Sequence, residues 1–274
     1  MKNAWTMAEL TFKEAARKRL LWMALLVGVA FLLLFGLAEH YQTFGARATP
    51  LVRRQIVGTQ FLVGLYALNF LVLAMTVLTS VDTLSGEISS GTIQAIATKP
   101  MRRDQILIGK WLGFTGMLTV FLILMVGGLT VESYWITGHK AHHILRGFGL
   151  MWLESSLLLA LTLLFGTIFS TLTNGIIALG LHGLAFLGGW IEQFAFFTNN
   201  ERAATIGVLA SIVMPSEALW RRAAFEMQSP LVGVFGFSPF ATVAAPSGAM
   251  VVYAALYATV SLGVAVRVFS KRDL

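Results

Sequence analysis

The sequence predicts an all-α, polytopic membrane protein, and three observations carry that prediction. Of 274 residues, 57% are hydrophobic and only 12% are charged, where an ordinary globular chain is about 25% charged. So few charges cannot supply the polar coat that a soluble domain of this size needs. The apolar residues gather into stretches of about 20, the length of helix that crosses a bilayer. Between them lie an amphipathic segment and basic loops, with no internal repeat. The same composition excludes disorder.

Residues 3–19 open the chain. Trp5, Ala8, Phe12 and Ala15/Ala16 fall on one helical stripe, with Glu9, Lys13 and Arg17 opposite. This is the pattern of an amphipathic helix lying in the cytoplasmic interface. Leu20–Ala38 and Ile56–Val81 hold no charged residue and make spans one and two, 20–38 and 56–81. No small-x-small cleavage site follows Ala38, so span one is expected to stay rather than leave as a signal peptide. The third span covers 109–131 around the uncharged run Trp111–Val131. Ser155–Ile191 is free of Asp, Glu, Lys and Arg for 37 residues, enough for two helices. The turn signal Thr173-Asn174-Gly175 divides it into spans 148–172 and 175–197. Span six is 247–266, opened by Pro246 and closed by Arg267. The outer segment 198–246 carries apolar stretches at 203–214 and 231–245, too short to span. Pro215, Pro230, Pro239 and Pro246 break it up, so a re-entrant or surface-lying pair is expected.

Charge orients the bundle. Six spans put both termini on one side, and with the N-terminus inside, twelve Lys and Arg face the cytoplasm against eight outside. The cluster Lys13, Arg17, Lys18 and Arg19 before span one sets an N-in, C-in topology in a bacterial cytoplasmic membrane. The net charge of +7 then reflects basic ends at anionic headgroups rather than nucleic acid. Trp5, Trp22, Trp111, Trp135, Trp152 and Trp190 fall where an interfacial belt wants them. The chain has no cysteine, which removes disulfides, thiolate metal sites and cysteine nucleophiles.

Candidate chemistry is sparse. There is no His-Glu-x-x-His, no Gly-x-Ser-x-Gly and no pair of intramembrane carboxylates within a turn. His139, His142 and His143 would share a helix face at 139/142 or 139/143, a weak metal-ligand pattern against the plainer reading of interfacial polar residues. Asn69, Glu154 and His182 are polar groups within spans, expected at a translocation path or protomer interface. Against that stands helix–helix hydrogen bonding, or for Glu154 an outer-interface position with snorkelling. Gly109-x-x-x-Gly113, followed by Gly116, lets another helix approach closely. The loop 82–105 sets Ile88, Thr92, Ala95 and Ile96 on one face of a short helix, punctuated by Gly86, Gly91 and Pro100. A second short helix opens after Pro100 and runs into span three. Rimmed by Lys99, Arg102 and Arg103, the pair suits docking into a groove of a soluble partner. The competing reading is a solvated basic loop that only fixes topology.

Glu87, Gly91-Thr92-Ile93, Pro100, Arg103, Ile106 and Gly109-Lys110 together resemble the loop pattern of ABC-2 type permeases, membrane subunits of one class of ATP-binding-cassette exporters. The layout is similar too, down to the basic ending Phe269-Ser-Lys-Arg-Asp-Leu274. Within the family the chain looks closest to the permease of nitrous-oxide-reductase maturation systems. The resemblance implies that 82–105 is the coupling element. Its ATPase-coupling residues would be Glu87, Gly91, Thr92, Ile93, Pro100, Arg103, Gly109 and Lys110. Thr92 would cap the coupling helix, and Glu87 would reach a basic group on the partner or on the N-terminal helix. ATP and Mg are expected in two copies of a partner ATPase, since no Gly-x-x-x-x-Gly-Lys-Ser/Thr is present. No cofactor or metal is expected in this chain, and it is not expected to be an enzyme. Six helices make a small bundle, which favours pairing with a second permease protomer. The rivals are a mechanical transmitter acting on a periplasmic partner through 198–246, and an ATP-independent secondary carrier. A carrier should show mid-membrane carboxylates or discontinuous helices.

Overall fold

The computed structural model describes residues 2–45, 49–91, 102–229, 240, 242 and 245–272. The described residues form helices α1 (Lys2–Arg17), α2 (Arg19–Gly45), α3 (Pro50–Ser89), α4 (Arg103–Thr137) and α5 (Ile144–Gly166). The remainder are α6 (Thr171–Thr198), α7 (Glu201–Val213), α8 (Ser216–Met227) and α9 (Gly248–Lys271). Six of them, α2 to α6 and α9, are long and apolar enough to cross a membrane, as the sequence predicts. They alternate in direction, so α1 and the close of α9 meet at one end, here the proximal end.

Two spans are far longer than a bilayer requires. At 1.5 Å per residue, α3 is about 60 Å long and α4 about 52 Å, against a hydrocarbon core of about 30 Å. The excess projects at both ends. At the proximal end α3 carries Asp82–Ser89 past its apolar stretch, so the first eight residues of the sequence-predicted loop 82–105 are helix. Gly86 does not break it, because the two residues before it, Leu84 and Ser85, are buried. The helix stops at Gly91, whose φ of 71° is the left-handed conformation that glycine adopts without strain. Segment 90–102 separates α3 from α4, and of it residues 92–101, with Thr92, Ile93 and Pro100, lie outside the described residues.

The break between spans four and five falls at residues 167–170, not at Thr173-Asn174-Gly175. Asn174 is inside α6 because its side chain has better use there. It donates to the carbonyls of Thr162 at 2.9 Å and Val81 at 3.2 Å, pinning α6 to α5 and α3. Ser80 bonds Thr162, and Ser85 bonds Thr171, each at 2.8 Å.

The N-terminal helix is amphipathic, but its protein-facing stripe is rotated from the expected one. Met7, Ala8, Thr11 and Ala15 are buried, while Trp5 (71% exposed), Leu10 and Phe12 face outward. Small residues win the inner face because α1 lies directly on α4. The tryptophans divide in the same way. Trp22 and Trp135 are exposed at helix ends, whereas Trp152 packs between helices and donates to Thr119 Oγ1 at 2.9 Å.

Segment 198–246 contains a sharply bent helix pair with the geometry of a broken span or a re-entrant loop, here termed the re-entrant pair. Helices α7 and α8 meet at Met214-Pro215 with a bend of 106°, α7 against α6 and α8 against α5. The second limb is 216–227, and most of the apolar stretch 231–245 lies outside the described residues. Ser216–Met227 carries four charges, and three of them, Arg221, Arg222 and Glu226, are held in ion pairs. Arg221 meets Glu192 at 2.6 Å, and Glu226 meets Arg222 at 2.8 Å and Arg146 at 3.6 Å.

Candidate functional site

The proximal end is one packed unit drawn from five helices. Met7 of α1, Leu84 of α3, Ile106 and Leu107 of α4, and Ala265 and Phe269 of α9 are buried together, with Ile88 and Leu164 against them. Inside this cap Lys110 is fully buried, and its Nζ lies 2.5 Å from Glu87 Oε1. Both residues belong to the sequence-predicted set, and the structure joins them. Glu87 thus reaches the first turns of span three. A buried ion pair is costly to split, because the survivor is left uncompensated. Glu87 and Lys110 consequently lock the end of α3 to the start of α4, on either side of segment 90–102.

The C-terminal motif serves the same cap. The Arg103 guanidinium donates to the Arg272 carbonyl, and the Arg272 guanidinium donates to the Thr167 carbonyl. These bonds staple the close of α9 to the start of α4 and the end of α5. Gly109 and Gly113 take α1. A Cβ on Gly109 would sit 2.7 Å from the Ala4 carbonyl oxygen, and one on Gly113 would sit 2.6 Å from that of Ala8. The glycine stripe thus receives the chain's own N-terminal helix. Gly113→Leu should lift α1 from α4. Since the chain lacks cysteine, Ala8→Cys is a clean reporter: maleimide should label it slowly alone and quickly beside Gly113→Leu. Equal rates would contradict the packing.

In the middle of the bundle the three polar picks converge on the re-entrant pair. Asn69 Nδ2 donates to Glu154 Oε1 at 3.4 Å, and both residues are buried. Glu154 is fully buried in the third turn of α5, so it does not snorkel. Glu217 of α8 lies close enough for its charge to act on Glu154. His182 Nδ1 lies 3.0 Å from Ser216 Oγ at the first turn of α8. Tyr66 of α3 stacks edge-on against the buried Trp220 at 4.7 Å. Gly189 leaves room for Glu217, whose Cγ lies 2.5 Å from where a Cβ would be. Asn69 Oδ1, Glu154 Oε2 and Trp220 Nε1 are buried with no hydrogen-bond partner among the described residues. That leaves polar capacity for water or a passing ligand.

His139, His142 and His143 sit in a non-helical turn, so the shared helix face on which a metal reading rested does not form. Among the described residues no three His, Asp or Glu side chains are grouped to hold a metal.

Compared with known families, residues 5–274 match the description ABC-2 family transporter protein. The chain belongs to the ABC-2 transporter family. No curated protein matches it well enough to count as a relative. As an ABC-2 transporter protein it is a multi-pass membrane component of an ABC transporter, and the match spans the cap, the cluster and the re-entrant pair alike.

Sequence reading of this ABC-2 chain missed Glu217 and Arg221, although their spacing, like that of Arg222 and Glu226, is the i,i+4 signature of a helix. It also missed Glu39, which is fully buried and accepts from Ser133 Oγ at 2.6 Å. Placing the end of the first span at Ala38 hid it.

Proposed function

We propose that the chain is the permease subunit of an ATP-binding-cassette exporter, paired with a second permease protomer and served by two copies of a separate ATPase that binds ATP and Mg. The proximal end faces the cytoplasm of a bacterial cell, and the chain itself performs no catalysis. The observation that carries this reading is that Glu87–Lys110 pins the end of α3 to the start of α4, the two helices that flank segment 90–102. A push on 90–102 cannot be absorbed locally, because both flanking helices are rigid and pinned to each other. It must travel along α3 to Asn69 and Tyr66, and from there to the re-entrant pair. There it would open or shut the outer end of the path. Within the family, we take the chain to belong with the permeases of nitrous-oxide-reductase maturation systems, a reading supported by its length and short outer loops.

Co-purification in mild detergent with the ATPase encoded beside it tests the reading. Wild type should retain the ATPase, and a Glu87→Lys/Thr92→Pro double variant should lose it. Failure of the wild type to bind any ATPase would overturn the assignment.

Glu154 and Glu217, buried in mid-bundle beside a broken helix pair, favour a second reading in which transport is linked to protons or another cation. Uptake in vesicles separates the two. Transport that needs ATP inside and survives collapse of the ion gradients supports the exporter. Transport driven by a gradient without ATPase supports the carrier.

A further inference from the structure

At the distal end, α3 and α4 overshoot the apolar core and enclose a cleft of about 680 Å³ with the turn that follows α4. Arg53 and Arg54 enter from the first turns of α3, and His139, Lys140 and His142 from the turn. Thr137 and Val57 line it between them, and no carboxylate is among the lining residues. Glu39 touches the lining through Thr137 at 3.5 Å, its Oε1 also accepting from Ser133, while its Oε2 is buried with no hydrogen-bond partner among the described residues. The turn is held in shape by two left-handed residues, Gly138 (φ 74°) and His143 (φ 37°). His139 is fixed further by its ring against Phe61 at 5.0 Å and by its backbone N–H, which donates to Thr137 Oγ1 at 3.3 Å. Its Nε2 atom is nonetheless buried with no hydrogen-bond partner among the described residues.

From this geometry we propose that the cleft is a binding site for a phosphate-bearing anion, a class that includes an anionic phospholipid headgroup. Three permanent cations converge where water and bilayer meet, a level marked by the exposed Trp135 (81%) and Tyr134. Phosphate oxygens match Arg pairs by bidentate hydrogen bonding, and Lys adds a point charge. Burial, with His142 beside it, holds the His139 imidazole below its ordinary range, so it meets the ligand at neutral pH as an uncharged partner. Under an N-in topology, these cations stand on the side where the positive-inside bias disfavours them. A ligand that uses them explains why they are there. The cleft is also roomier than a bare oxyanion needs, which points to a headgroup with its glycerol attached.

The test uses the delipidated full chain in detergent, titrated with short-chain phosphatidylglycerol, short-chain phosphatidylcholine or inorganic phosphate, with binding read by native mass spectrometry and thermal shift. Phosphatidylglycerol should bind, weaken as NaCl rises, and lose roughly tenfold in affinity in Arg54→Gln/Lys140→Gln. Arg202→Gln on the same end should leave it unchanged. Both altered side chains are exposed, and a retained melting temperature would show that the double variant still folds. If inorganic phosphate stabilises wild type but not the double variant, and the lipid does not, the same site takes free phosphate. If neither anion distinguishes the double variant from wild type, or phosphatidylcholine binds as well as phosphatidylglycerol, the proposal is overturned.

Discussion

A Lys110→Met variant is expected to melt roughly 10 °C below wild type. Splitting a buried pair costs about 3–5 kcal/mol, and each kcal/mol is worth about 2–4 °C in a chain of this size. Lys110 is fully buried and its partner Glu87 is 15% exposed, so little solvent is at hand to take over from the lost ammonium. The loss should come from the orphaned carboxylate rather than from missing attraction. Adding Glu87→Leu to Lys110→Met should therefore recover most of the drop, because an apolar pair of similar volume is tolerated where a lone charge is not. Single and double variants that melt together would show that the pair does not hold α3 to α4. Melting followed by tryptophan fluorescence in detergent would read both.

Trp220→Ala should be as damaging, by a different route. Trp220 lies in the principal core of the bundle, where α8 meets Met151 of α5 and the span-two side chains around Tyr66. Removing a buried Trp costs about 3–5 kcal/mol through lost burial and the cavity left behind. The damage should be local, freeing α8 from α3 and α5. Ser216→Cys, fully buried at the bend, reports on this directly. A membrane-impermeant maleimide should leave it unmodified in the wild-type background and label it in Trp220→Ala. Because the proximal cap is remote from this site, the variant should still bind the ATPase while failing to transport. Unchanged labelling, or loss of ATPase binding in step with transport, would contradict the separation of gate from cap.

Much of the fold was legible because the bilayer imposes a length and a polarity on each span. The six spans, the N-terminal helix and the glycine stripe on span three follow from apolar runs and small-residue spacing alone. What was hidden depends on partners distant in sequence. Ser216–Met227 has no apolar run to mark it, and its charges find Glu192 and Arg146 only in the fold. Asn174 reads as a helix stop until the carbonyls of Val81 and Thr162 are in place. Lys110 looked like a residue for a partner chain, and it proves to be the counter-charge of Glu87. The site was legible in its members but not in its connections. Asn69, Glu154 and His182 could be picked as costly polar groups, while the helix that joins them, α8, carried no apolar signal. Pro100, Thr92 and Ile93 lie outside the described residues, so the loop pattern that pointed to the family is matched here chiefly by its two flanks.

The central claim is that segment 90–102 is where an ATPase delivers its push. The most direct measurement places a photo-crosslinking amino acid at Ile96 and, as a control, at Ile206 on the exposed face of α7, then illuminates intact membranes containing the chain and its neighbouring ATPase. The account predicts an ATPase adduct from position 96 that strengthens with bound nucleotide, and none from position 206. An ATPase that co-purifies but crosslinks at neither position, or only at 206, would contradict it.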